Sequence, residues 1–133
     1  MSSRVVKGGD ATWPGVAVRE YKDDAELYRG VVRRTLAGAA AGDADLGFEL
    51  RSFEVAAGGW TTLERHRHPH AVVVVAGRGE VRLGATTHAL APLDFVYVAP
   101  EEAHQFRAAA GERLVFLCVV DRDRDRPRPV SEG

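Results

Sequence analysis

Three of the chain's five histidines, His66, His68 and His70, occupy alternate positions in "LERHRHPHAVVVV", and Glu64 precedes them at the same spacing. Neutral imidazole nitrogens and carboxylate oxygens are the usual protein ligands of first-row divalent metals. Side chains two apart on a strand share a face, so an extended 64–70 segment presents Glu64, His66, His68 and His70 together. Burying these groups without a common partner would cost several kcal/mol, and a divalent cation is such a partner. An exposed hairpin end, where no partner is needed, is the plain alternative, and local spacing leaves the two readings level. His88, alone in "GATTHAL", reads as an ordinary surface residue.

The rest of the chain must supply strands to position such a cluster. Little of it has helical periodicity, and residues 1–15 form a Gly- and Pro-containing lead-in. Short stretches of strand character follow: "VAVREY", "YRGVVRRTL", "FELRSFEV", "EVRLG", "THAL", "DFVYVA" and "RLVFLCVV". Turn signals separate them, which predicts an all-β sandwich or barrel over 16–120. "AGAAAGDADLG" reads as a loop with at most a turn of helix. By composition "AVVVVA" reads as a fully buried strand, and Gly77–Gly79 as a hairpin turn. Residues 121–133 run "DRDRDRPRPVSEG", an alternating-charge end expected to be solvated and disordered.

Bulk numbers narrow the function classes. A length of 133 residues fits one domain with a single core, and 45% hydrophobic with 28% charged residues is ordinary for a folded soluble protein. The net charge of −1 gives no field that would draw the chain to nucleic acid or to an acidic membrane. The longest apolar run, Ala71–Ala76, is far too short for a bilayer span, and no secretory signal is expected at the N-terminus. A single cysteine, Cys118, excludes an internal disulfide and fits the cytoplasm; by default it is a small buried hydrophobe.

At this point the sequence resembles the cupin superfamily, whose first motif reads G-x5-H-x-H-x3,4-E-x6-G. Here Gly58, Glu64, His66, His70 and Gly77 hold that spacing, with glutamate and histidine exchanged at the first and third ligand positions. A rival register takes His66 and His68 as the H-x-H element and leaves Glu64 outside. The stretch "APLDFVYVAPEEAHQF" is similar to the second motif, with Pro92, Asp94, Pro100 and His104 in register and Leu93 at the usual glycine position. The resemblance implies a double-stranded β-helix barrel with Glu64, His66, His70 and His104 as metal ligands. It leaves His68 as a group behind the ligands or a proton shuttle. Tyr97 and Phe106 lie on strands next to His104 and read as core or cavity wall.

Four protein ligands on an octahedral ion leave two cis positions for water, dioxygen or a chelating substrate. Mixed N/O ligands do not distinguish Fe, Mn, Ni, Co, Cu or Zn. The resemblance therefore implies a divalent transition metal and an enzyme of dioxygenase, isomerase or lyase type acting on a small oxygen-bearing metabolite, with the oxidoreductase class favoured. The alternative is a non-catalytic binding module for a metal or small ligand. No DNA-binding element is visible, and a homodimer contacted through the N-terminal segment is expected.

Overall fold

The computed structural model describes residues 3–131. It is nearly all strand: β1 (Arg19–Glu20), β2 (Arg29–Ala37), β3 (Phe48–Trp60), β4 (Glu64–Arg65), β5 (His70–Gly77), β6 (Gly79–Leu83), β7 (Thr86–Leu90), β8 (Phe95–Val98), β9 (His104–Ala108), β10 (Leu114–Asp121) and β11 (Arg128–Pro129). Every strand pairing among the described residues is antiparallel, in two curled layers. The larger layer runs β1-β2-β3-β10-β5-β8 and the smaller β7-β6-β9-β4-β11. They join where the end of the long strand β3 meets β9, at Trp60 opposite Arg107. Thr61 fixes this joint: its hydroxyl accepts from the Phe106 amide at 2.9 Å and its carbonyl accepts from Gln105 Nε2 at 2.9 Å. Among the described residues no helix is long and apolar enough to cross a membrane.

Alternation decides which side chains enter the barrel. Phe116, Cys118 and Val120 of β10 are buried, whereas Val119 and Asp121 between and beyond them are exposed. Val72 and Val74 of β5 and Val96 and Val98 of β8 point inward with them. Each fully buried Val or Leu contributes on the order of 1.5–3 kcal/mol of apolar transfer free energy. The stack Phe53–Phe116–Phe106, with centroids 5.3 and 4.4 Å apart, fills the middle of the barrel.

Several sequence expectations change here. The valine run is not buried on both faces: Val73 is 37% exposed, because an antiparallel layer leaves its outer face to solvent. Gly77–Gly79 is a corner between the two layers, since β5 pairs with β10 and β8 while β6 pairs with β7 and β9. A Cβ at either glycine would collide with a backbone carbonyl, that of Arg113 at Gly77 or Arg107 at Gly79. Tyr97 points outward at 55% exposure, while Phe106 is core. Leu93 adopts φ 76°, the left-handed conformation that a glycine would hold without strain.

The two chain ends also pack. Arg4 grips Asp43 with a two-pronged contact at 2.7 Å on each oxygen, tying the lead-in to the loop before β3. At the other end, residues expected to be solvated and disordered fold back over the barrel mouth. β11 pairs with β4, and Val130 N donates to the Leu63 carbonyl at 2.9 Å. Residues 1, 2, 132 and 133 lie outside the described residues.

Candidate metal centre

Segment 64–70 is not one continuous strand. β4 ends at Arg65, the chain bends at Arg67–His68 just before Pro69, and β5 begins at His70. Even so, Glu64, His66 and His70 converge, and His104 joins them from β9, directly opposite Glu64 in the β4–β9 pairing. One ligand atom from each of the four lies within 4.8 Å of all the others. His66 Nε2 is 2.8 Å from His70 Nε2 and 3.2 Å from His104 Nε2. Glu64 Oε2 lies 3.7 Å from His66 Nε2 and 3.9 Å from His104 Nε2.

The far nitrogens explain why these faces meet. His66 Nδ1 lies 2.6 Å from the His68 carbonyl, and His104 Nδ1 lies 2.9 Å from the Glu102 carbonyl. A carbonyl can only accept, so both rings carry their proton on Nδ1 and turn the bare Nε2 lone pair inward. Two lone pairs facing each other at 3.2 Å repel unless a cation lies between them. Glu64 Oε1 is buried with no hydrogen-bond donor, although Lys22 Nζ stands 3.1 Å away as an ion pair. The donor set therefore fits a divalent ion. Burial, reinforced by the neighbouring His104 and His68, pushes His66 down to about 3. Burial likewise lowers His70 and His104, so all three rings are neutral and able to ligate near pH 7.

His68 does not join this group. Its ring stacks on His66 at 3.7 Å and 7°, and its Nδ1 lies 2.9 Å from Asp125 Oδ1. Asp125 also accepts from the Arg67 and His68 amides at 2.8 and 3.0 Å, and these bonds, the Arg67 one foremost, hold its carboxyl well below the usual range. The Glu101 amide donates to the His66 carbonyl at 2.7 Å and pins the loop from the other side. His88 lies away on β7, exposed, 3.3 Å from Thr86 Oγ1.

Glu64, His70 and His104, together with His68, line a cavity of about 140 Å³. Cys118 lies beside them: its Sγ is 2.7 Å from His70 Nδ1 and accepts from Arg51 at 3.7 Å. Burial pushes the thiol up, opposed by the Arg51 charge. Arg33 and Arg51 line the same cavity from β2 and β3, and the sequence reading passed over both. In the structure Arg33 shares its face with the buried Val31 and Thr35, and Arg51 with the buried Phe53 and Val55.

The match to the cupin domain model spans residues 51–120, from the barrel strand β3 to the end of β10. The chain belongs to the cupin family. This cupin is 44% identical over 122 residues to the 1-methylthio-D-xylulose 5-phosphate methylsulfurylase of Rhodospirillum rubrum, covering 91% of this chain and 76% of that protein. It superposes on a cupin-2 domain crystal structure from R. rubrum with a TM-score of 0.82 at 40% identity, covering 97% and 84% of the two chains. A cupin 2 conserved barrel domain protein from Rhodopseudomonas palustris gives 0.84 at 42% identity, with 98% and 88% covered.

Proposed function

We propose that this cupin is a metal-dependent enzyme that removes a methylthio group from the carbon next to a ketone carbonyl, with Cys118 as the sulfur nucleophile. Glu64, His66, His70 and His104 are the residues that would hold the divalent metal, which supplies positive charge for a substrate oxygen that becomes anionic. The observation that carries the reading is the position of Cys118, in the same cavity and 2.7 Å from the back of His70. The methylsulfurylase named among its relatives points to the same chemistry.

His70 Nε2 faces His66 Nε2, and were it to ligate a metal there, its ring proton would sit on Nδ1 and be donated to Cys118 Sγ. Arg51 donates to the same sulfur. Both contacts favour thiolate over thiol against the cost of burial. The thiolate attacks the methylthio sulfur; an S–S bond forms and the C–S bond breaks. The electron pair passes to the carbon and is spread onto the adjacent carbonyl oxygen as an enolate. A proton then returns to that carbon, balancing the one lost by the thiol. Cys118 is left as its methyl disulfide, and a small external thiol attacks the methylthio sulfur to regenerate it. A nucleophilic thiol requires a reducing compartment, in line with a cytoplasmic protein.

The test is mass spectrometry of metal-loaded protein mixed with 1-methylthio-D-xylulose 5-phosphate and no added thiol. The wild type should gain one methylthio group, and Cys118→Ser should gain none and lose turnover by at least about a thousand-fold. Equal turnover by Cys118→Ser would overturn the thiol reading. Oxygen uptake without the adduct would restore the dioxygenase-type oxidoreductase, and ligand-dependent stabilisation without turnover would restore the binding module. A homodimer also belongs to this reading, because Val73, Leu93, Phe95 and Tyr97 leave apolar surface on one outer face. Light scattering that returns the monomer mass would remove it.

A further inference from the structure

We infer that the part of the cavity lined by Arg33 and Arg51, on the far side of Cys118 from His70, is a subsite for a doubly charged phosphoryl group. The inference rests on the functional reading above, and assigns the second handle by which the same cavity holds its substrate. Register places the two guanidinium groups together. Arg33 stands opposite Phe53 and Thr35 opposite Arg51 in the β2–β3 pairing, so the arginines are diagonal neighbours on the inward face. Arg51 is in turn opposite Cys118 across β3 and β10. The order along that wall is therefore arginine pair, thiol, then imidazoles.

The burial of this pair is what points to an anion. Arg51 is 7% exposed, and the Nε donors of both arginines are buried without an acceptor. The nearby acids are engaged elsewhere: Glu49 pairs with Arg124 at 3.4 Å, and Glu64 with Lys22 at 3.1 Å. Arg33 faces three other cations, Arg51, Arg124 and Arg19, with Glu49 as the carboxylate that acts on it. A buried and a half-buried like charge with unspent N–H groups are costly alone, and a bidentate oxyanion answers both the charge and the donors. Phe53 and Phe116 beside them keep the site apolar between its two polar ends. A metabolite with a carbonyl at one end and a phosphate monoester at the other matches that layout.

The experiment is calorimetry with inorganic phosphate, D-ribulose 5-phosphate and unphosphorylated D-ribulose. Each is run on metal-loaded protein, metal-stripped protein and the Cys118→Ser variant. Phosphate should bind all three forms, and the phosphorylated sugar should bind at least ten-fold more tightly than ribulose. Arg33→Met should weaken both phosphate ligands by about ten-fold or more, Arg33→Lys by less, with metal content unchanged. Phosphate binding that is equal in Arg33→Met and wild type, or lost on stripping the metal, overturns the subsite. Phosphate that binds the metal-stripped and Cys118→Ser proteins, in a wild type that forms no methylthio adduct, would instead remove the thiol reading and leave the subsite standing.

Discussion

The two ends of the cavity bury polar groups in opposite ways. At the imidazole end the groups shed their charge: burial drives His66, His70 and His104 down, and two of the rings spend their protons on backbone carbonyls. At the guanidinium end that escape is closed, because arginine stays protonated even where burial and a like neighbour lower it. One end therefore presents lone pairs to a cation and the other presents donors to an anion. A small barrel can in this way hold a bifunctional metabolite without any flexible arm.

The sharpest way to break this contrast is to remove a ligand from the imidazole end. His104→Ala should abolish stoichiometric metal after purification, by elemental analysis, with the β-rich circular dichroism spectrum retained. Glu64→Gln should weaken metal binding by about ten- to a hundred-fold, because it removes the anionic oxygen that lies near both His66 and His104. His88→Ala should change nothing, since that ring sits on the outer surface. Full metal occupancy in His104→Ala would mean that the convergence of lone pairs has another cause.

Acid should act on the same end and spare the other. His66 has a folded value of about 3 against an ordinary 6.5, so the unfolded chain binds more protons below neutrality. Stability of the metal-free protein from this group is then fully present above about pH 6.5 and falls progressively towards about pH 3. Thermal melts of stripped protein at stepped pH should show that decline, and His66→Gln should make it shallower, leaving the share of His70 and His104. A decline of equal slope in the variant would place the acid sensitivity elsewhere.

The imidazole end was largely legible in the sequence because its residues are local and chemically unusual. Four potential ligand residues within seven positions, plus His104 in a second motif, left few ways to fold them apart. What spacing could not show was that the segment bends at Arg67–His68, which turns the His68 ring to Asp125 while His66 and His70 stay together. The guanidinium end was hidden for the opposite reason. Arginine on a short strand normally marks solvent, and only the pairing of β2 with β3 shows Arg33 and Arg51 on the buried face. Cys118 was seen as a buried small residue, which it is; its 2.7 Å approach to His70 depends on the β10–β5 register. The charged end of the chain looked structureless because its role is a set of contacts some 57 positions distant, beyond any local pattern.

That end gives the finest adjustment of the contrast. Asp125 gathers three donors, the Arg67 and His68 amides and the His68 ring, and so fixes the loop that carries His66 without touching the ligand itself. His68 in turn stacks on His66, and its carbonyl holds the His66 proton on Nδ1. Asp125→Ala should loosen this support, raising the rate of metal loss to a chelator by less than about ten-fold. Asp125→Asn keeps one acceptor oxygen, enough for the His68 amide and ring or for the Arg67 amide but not both, and should recover only part of that change. Phosphate binding should be unaffected in both, because none of these bonds reaches Arg33 or Arg51. Should Asp125→Ala lose metal as completely as His104→Ala, the bend would be part of the centre and not its outer brace.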